Sequence, residues 1–282
     1  MSNGRRVLVT GASTGIGRAS VDALVAAGFS VFATVRRDED AEALRKAHGA
    51  AVTPLMMDLL DDDSVRAMGA EVVAAGSLFG LVNNAGAAFP GPLEYLPIEL
   101  FRRQLDVNVT GQLLVTQVVL PALRRAAQET GDARIVMIGS IGGRIAGPIL
   151  GAYHTAKHGL VGLTGALRAE LAPFGIKVVL LEPGAIATPI WGKGASFGEE
   201  LRTQNPEGYA RYAAQLRGAS DMSRRGTDKG LDPAAVAAVI VKSLEEQNPA
   251  PRRTVGVDGK VVAVMTRLLP FRAVYRMSRG SS

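Results

Sequence analysis

The chain has 282 residues, 47% of them hydrophobic and 21% charged, the proportions of a globular protein rather than a disordered one. It contains no cysteine, which excludes disulfides, thiolate metal sites, iron–sulfur clusters and thiol catalysis, and its three histidines are too few for a dedicated metal site. The net charge of +6 comes from mixed-sign sequence with only 5% aromatics, which does not make the basic stripe with stacking rings of a nucleic-acid reader.

The polar start, Met1 to Arg6, leads into a short strand pattern, Val7–Thr10. No apolar run approaches the roughly 18 residues of a spanning helix. The run after the start is also shorter than the roughly 7–15 residues of a signal peptide. A cytoplasmic protein is therefore expected. Gly17–Ala27 reads as a helix that Gly28 can end. Val31–Val35 is the second strand and Asp38–His48 the second helix. Val52–Met57 is a third strand, and Asp61–Ala75 a helix opened by the cap and first-turn residues Asp61, Asp62, Asp63 and Ser64. Gly80–Asn83 is a short apolar strand, followed by a long helical stretch from about Pro97 to Ala127. Arg134–Ile138, Ala152–Ala172 and Lys177–Leu181 then read as strand, helix and strand.

Gly184–Gly230 mixes Pro, Gly, Trp191 and Tyr with weak helical pieces and reads as a long loop or lid, about 185–230. Asp232–Gln247 is a clean helix and Thr254–Val257 a last strand candidate. The C-terminal extension, 258–282, holds a basic amphipathic stretch, Val261–Met277. That stretch suits an anionic membrane surface, the protein body or a neighbouring subunit, and Pro270 weighs against the membrane by preventing one continuous helix. Alternating strands and helices, with strands apolar on both faces, predict an α/β protein: a parallel sheet with helices on each side. No linker or repeat divides it, so residues 1–282 read as a single domain.

The first strand runs into Thr10-Gly11-Ala12-Ser13-Thr14-Gly15-Ile16-Gly17 and then a helix. Glycines allow backbone to approach a diphosphate, and the helix N-terminus offers free N–H groups. The spacing is G-x-x-x-G-x-G, not G-x-G-x-x-G, and a glycine turn alone is also consistent with a plain strand–helix connection. Four further motifs follow in order: Asn83-Asn84-Ala85-Gly86, Asn108-Val109-Thr110-Gly111, Tyr153-His154-Thr155-Ala156-Lys157 with Ser140 thirteen residues earlier, and Pro183-Gly184 with Thr188. Over about residues 5–260 the sequence resembles the classical short-chain dehydrogenase/reductase family.

The resemblance implies a Rossmann-type doubly wound sheet in three α/β/α layers. It implies an oxidoreductase in which Tyr153 exchanges a proton with the substrate oxygen. Lys157 would support Tyr153 and bond the nicotinamide ribose, Ser140 would orient the substrate oxygen, and Asn108 would hold a water in a proton relay. The nicotinamide cofactor would supply the hydride. By the same resemblance, the dinucleotide would contact Gly11, Ser13, Thr14, Gly15, Ile16, Gly17, Asp58, Leu59, Asn84, Ala85, Gly86, Tyr153, Lys157, Pro183, Gly184, Ile186 and Thr188. Asp58 also fits a simple cap for the next turn.

Tyr153 and Lys157, four apart, share a helix face. A phenol near pKa 10 needs a shift of about three units, roughly 4 kcal/mol, to work near pH 7. An ammonium about 5 Å away at an effective dielectric of 20 supplies roughly 3 kcal/mol. Lys157 is thus expected to lower Tyr153, with a cationic nicotinamide adding the rest.

An acid that would hold a free 2′-hydroxyl is absent at the end of the second strand, where Val35 stands. Arg36 and Arg37 follow and match a 2′-phosphate, favouring NADP over NAD. Two features leave NAD open: these arginines have Asp38, Glu39 and Asp40 beside them, and Thr14 replaces the basic residue of many NADP-dependent relatives. The pocket wall is expected from Phe89–Pro92, Ile141–Arg144, Pro148–Leu150, Ile190, Trp191 and Phe197, which suits a small lipophilic carbonyl or secondary alcohol. The wording Phe32-Ala33-Thr34-Val35-Arg36 and the extended tail resemble the hydroxysteroid and retinol dehydrogenase side of the family. Pro97–Ala127 and Ala152–Ala172 resemble its assembly helices, implying a homodimer or homotetramer. His154 and His158 read as polar helix residues, not metal ligands, for want of a third ligand. A silent dinucleotide-binding regulator conflicts with the intact Tyr153/Lys157 pair. An isomerase or dehydratase of the family's longer branch conflicts with the glycine spacing and the modest length.

Overall fold

In the computed structural model, which describes residues 5–278, strands and helices alternate as the apolar runs dictate. The side chains of 191–197, 275, 277 and 278 lie outside that description, including those of Trp191 and Phe197. In chain order the first half is β1 (Arg6–Val9), α1 (Gly15–Ala26), β2 (Ser30–Val35), α2 (Asp38–His48), β3 (Val52–Met56), α3 (Asp62–Ala74) and β4 (Gly80–Asn83). Then come α4 (Ile98–Leu105), a π-helical turn at Asp106–Thr110, α5 (Gly111–Thr130), β5 (Ala133–Ile138), α6 (Gly151–Leu171) and β6 (Ile176–Pro183). The rest is α7 (Ile190–Gln204), α8 (Pro206–Ala210), α9 (Ala213–Lys229), α10 (Pro233–Glu245), β7 (Arg252–Val255), α11 (Val257–Leu268) and α12 (Phe271–Ser278).

The strands form one seven-stranded sheet in the order β3-β2-β1-β4-β5-β6-β7. Every pairing is parallel. Such a sheet must be covered on both faces, and two apolar clusters do this. One joins Leu8, Leu81, Ile135 and Val178 to α3, α5 and α6. The other joins Val7, Val82, Val136 and Val179 to α1 and α10. The chain is a Rossmann-type three-layer α/β fold. Strand order reverses between β1 and β4, and the carboxyl ends of those strands open the crevice where such sheets bind ligands.

Local signals explain the boundaries. Asp61 caps α3 by accepting from the N–H groups of Asp63 and Ser64. Gly28, at φ +83°, takes the left-handed conformation that ends α1. Gly131, at φ +76°, does the same after α5. The edge strand β3 contains Pro54, which has no N–H.

The structure corrects two readings. The stretch expected as a long loop or lid is helical, carrying α7, α8 and α9. Its glycines and prolines start helices or sit in them: Pro206 opens α8, beginning a turn that Asn205 caps by accepting from Gly208 N–H at 3.0 Å. The last strand is Arg252–Val255, two residues earlier than the hydrophobic pattern suggests, because Arg252–Val255 pair with Leu180–Pro183. Among the described residues, no helix is long and apolar enough to cross a membrane.

Candidate active site

The glycine turn between β1 and α1 is held by Thr10, which opens the motif, and by Thr34 of β2, whose role the sequence did not signal. Thr10, buried at the end of β1, accepts at Oγ1 from Asn84 N–H at 2.9 Å and Ala85 N–H at 3.0 Å. Thr34 of β2 accepts at Oγ1 from Gly11 N–H at 3.1 Å. Asn84 donates from Nδ2 to Thr10 O at 2.8 Å and Gly11 O at 3.2 Å. Asn84 thus ties the turn to β4.

Gly11 and Gly15 stand at φ +65° and +57°, a region that side chains disfavour. A Cβ on Gly17 would stand 2.1 Å from Gly11 O. Thr14, the N-cap of α1, makes no side-chain cap bond, and the first turn of α1 has no acid, so its N–H groups face the cradle unneutralised. Thr188 closes the far side, its Cγ2 3.1 Å from where a Gly15 Cβ would be. This cradle fits a diphosphate, and the side chains that would fill it are missing at the positions where backbone must approach.

The loop after β4 is held by three amides four residues apart. Gln104 accepts from Phe89 N–H at 2.8 Å and donates to Ala87 O at 2.7 Å. Asn108 accepts from Ala87 N–H at 3.0 Å and donates to Ala87 O at 2.8 Å. Gln112 donates to Ala85 O at 3.0 Å. Gln104 and Gln112 escaped the sequence reading. Their signal was the spacing of buried-type amides along an otherwise apolar helix face. Asn108 sits in the π-helical turn, a form often found at functional sites. A Cβ on Gly86 would stand 2.7 Å from Asn108 Oδ1. The Asn108 amide is engaged at both ends by loop backbone, so any water it holds uses its remaining hydrogen or lone pair.

Ser140 follows β5 and caps a turn by accepting from Gly142 N–H at 3.0 Å. Its side chain also hydrogen-bonds the Tyr153 hydroxyl. Gly142 and Gly143 let this turn lie on α6: a Gly142 Cβ would be 3.2 Å from Tyr153 Cε1, and a Gly143 Cβ 2.8 Å from Lys157 O. His154 Nδ1 lies 3.0 Å from Gly142 O. His154 is a polar residue of α6, as read from the sequence, and it is also buried and holds the Ser140 turn. His158 bonds His154 O, and no group of metal-ligating side chains occurs among the described residues.

Tyr153 and Lys157 are both buried. Lys157 donates to Ile138 O at 2.9 Å, and its Nζ lies 5.7 Å from the centre of the Tyr153 ring. Burial raises the Tyr153 phenol above its ordinary value, with the Ser140 hydrogen bond opposing. Any lowering by Lys157 and a cationic nicotinamide has to work against this loss of solvation. Burial also pulls Lys157 down to about 8. At neutral pH the pair is a neutral phenol beside an ammonium.

Around Tyr153 lie Ala88, Leu150 and Ile190, all apolar. Ile149 carries a φ of 68°, strained for a β-branched residue, and its carbonyl accepts from Gly91 N–H at 2.8 Å. That bond joins the two expected walls, Phe89–Pro92 and Pro148–Leu150. The helical lid is fastened to the residues just after the first of them. Tyr212 donates to Glu94 at 2.7 Å, and Arg211 to the Tyr95 hydroxyl at 3.1 Å.

At the end of β2, Arg37 is held by Asp40 through two bonds of 2.9 Å, while Arg36 is exposed and makes no ion pair among the described residues. Asp58 accepts from Leu60 N–H at 3.0 Å, the capping role, and Leu59 is buried against α5. Gly184 and Ala185 follow β6, with Ala185 N–H donating to Asp258 at 2.7 Å. Ile186 is buried and bridges to Leu231. Ser13 and Ile16 lie on the turn and the first turn of α1.

Residues 5–196 match the short chain dehydrogenase family. The chain is 34% identical over 271 residues to an NADPH-dependent 3-dehydrocapnine reductase of Ornithobacterium rhinotracheale, covering 95% of this chain and 94% of that one. A short-chain dehydrogenase structure from Streptomyces avermitilis superposes with a TM-score of 0.75 at 31% identity, over 99% of both chains. A 3-ketoacyl-(acyl-carrier-protein) reductase of Brucella melitensis, complexed with NADH, superposes at 0.73 with 27% identity, over 92% of this chain and 98% of that one. The chain belongs to the short-chain dehydrogenase family. It is an oxidoreductase.

Proposed function

We propose that the protein reduces a lipophilic carbonyl, or oxidises the matching secondary alcohol, with NADP(H). The observation that carries this reading is the convergence of Ser140, Tyr153 and Lys157 beneath the apolar side chains of Ala88, Leu150 and Ile190. The bound dinucleotide would supply or accept the hydride.

Ser140 donates to the substrate oxygen and polarises it. Tyr153, kept neutral by burial, gives its proton to that oxygen as negative charge develops there. Lys157, an ammonium below about pH 8, stabilises the tyrosinate left behind. Asn108 fixes the Ala87 segment beside the site and holds a water for proton return. Apolar walls exclude other water and select an apolar substrate.

The diphosphate fits the glycine cradle, with Gly11, Gly15, Gly17 and Thr188 around it. Arg36 meets the 2′-phosphate, and Arg37 joins it by giving up Asp40. The NADPH-dependent relative from Ornithobacterium supports that choice. The test is titration of the purified protein with NADPH and with NADH, read by fluorescence, followed by turnover of lipophilic ketones. NADPH binding at least about tenfold tighter, a difference of about 1.4 kcal/mol, is expected. Equal or tighter NADH binding overturns the cofactor assignment, and binding of neither overturns the enzymatic reading.

A further inference from the structure

The C-terminal extension leaves one face of α11 bare. The body-facing side is marked by Gly259, where a Cβ would lie 2.7 Å from Thr254 and 3.2 Å from Ile141. At about 100° per residue, Val257, Val261, Val264 and Leu268 fall on the opposite side of the helix, in a stripe about 60° wide. Their exposures are 78%, 51%, 55% and 72%. Lys260 and Arg267, both exposed, line one border of the stripe. Asp258, on the other border, turns inward to accept from Ala185 N–H. Arg272 and Arg276 continue the positive charge into α12. From Val257 to Arg276 the sequence carries four cations and one acid, and that acid is engaged by the body.

We propose that this face docks on an anionic lipid surface. The helix lies in the interface plane, with its apolar stripe at the acyl boundary and its basic border among the phosphates. A second copy of the chain is a poorer occupant for two reasons. An antiparallel twofold contact through this face would set the same basic border against itself. Four aliphatic side chains also fall well short of the ~800 Å² per partner of a stable interface. The break at Pro270 is compatible with docking, because α11 already carries the whole stripe before it. The proposal rests on the helix face alone and is independent of the cofactor and substrate assignments.

The test is co-sedimentation of the full-length protein with vesicles of phosphatidylglycerol and phosphatidylcholine, or of phosphatidylcholine alone. Light scattering on the lipid-free protein reports its mass. Binding to the anionic vesicles is expected, weakened by salt and at least about tenfold weaker to the neutral ones. The double variant Val261→Glu/Val264→Glu should release the protein from anionic vesicles while leaving its melting temperature and dinucleotide binding unchanged. Lys260→Glu/Arg267→Glu should abolish the anionic preference. Equal binding to both vesicle types, no binding to either, or a double variant that still binds overturns the proposal. So does a lipid-free oligomer that the same double variant dissociates, which would identify a second copy as the occupant.

Discussion

Glu182, fully buried in β6, holds the guanidinium of Arg144 at 2.9 and 2.6 Å from one carboxylate oxygen. Arg252 of β7 takes the same carboxylate from the other side. The clamp therefore anchors the segment that follows the Ser140 turn to two strands. Glu182→Gln leaves two guanidiniums facing a neutral amide. The expected loss is about 3 kcal/mol, at the low end for buried pairs because Arg252 is partly exposed. Denaturant unfolding measures it, and a loss below about 1 kcal/mol would mean that the clamp is replaceable by water.

Tyr153→Phe keeps the ring and removes the proton. It should lower kcat/KM by about 10²–10⁴-fold. Dinucleotide affinity should stay within a few-fold. Ser140→Ala should retain more activity than Tyr153→Phe, and a fully active Tyr153→Phe enzyme would remove the phenol from the mechanism.

The exposed Arg37–Asp40 pair makes cofactor choice adjustable. Arg36→Ala should weaken NADPH by about tenfold through loss of a charge-assisted contact, with NADH unaffected. Arg37→Ala should do less, because Asp40 already occupies that guanidinium. Asp40→Ala should tighten NADPH. Dissociation constants for both nucleotides across the three variants check this ranking.

Lys157 gives the fold a signed pH response. Burial lowers it from 10.5 to about 8, so between those values the unfolded chain binds more protons than the folded one. Stability contributed at this position therefore rises with pH through that window, and the burden of the buried ammonium is full below about 8. The neutral variant Lys157→Met removes this term. Melting curves from pH 7 to 10 should show the wild type gaining on the variant as pH rises, and parallel curves would refute the shift.

Gly17→Ala should abolish dinucleotide binding or fold stability, because its Cβ would stand 2.1 Å from backbone at Gly11. Gly28→Ala, at a positive φ but with nothing within 4 Å, should cost only about 1 kcal/mol of backbone strain and leave binding intact. The contrast separates close approach from conformation, and both variants can be read by thermal melting and nucleotide titration.

Strand alternation, the glycine turn and the Tyr153/Lys157 spacing were legible in the sequence because each follows from local periodicity. The partners that hold the site were not. Thr10, Thr34, Gln104 and Gln112 act across long sequence separations, and nothing near them predicts which backbone groups they meet. The sign of the Tyr153 shift also depended on something that spacing cannot express: how completely α6 and the Ser140 turn shut water away. The helices of 190–229 were missed because the prolines and glycines that suggested a loop occupy helix starts and interior positions there.

Pro54 has a consequence for how molecules of this protein can meet. Met57 N–H donates inward to Val35 O, so strand alternation turns the backbone nitrogen of position 54 outward, where proline offers nothing. The opposite border, β7, is four residues long and begins with Arg252 and Arg253. Both margins of the sheet are thus blunted against an added strand, which steers concentrated protein away from fibre growth.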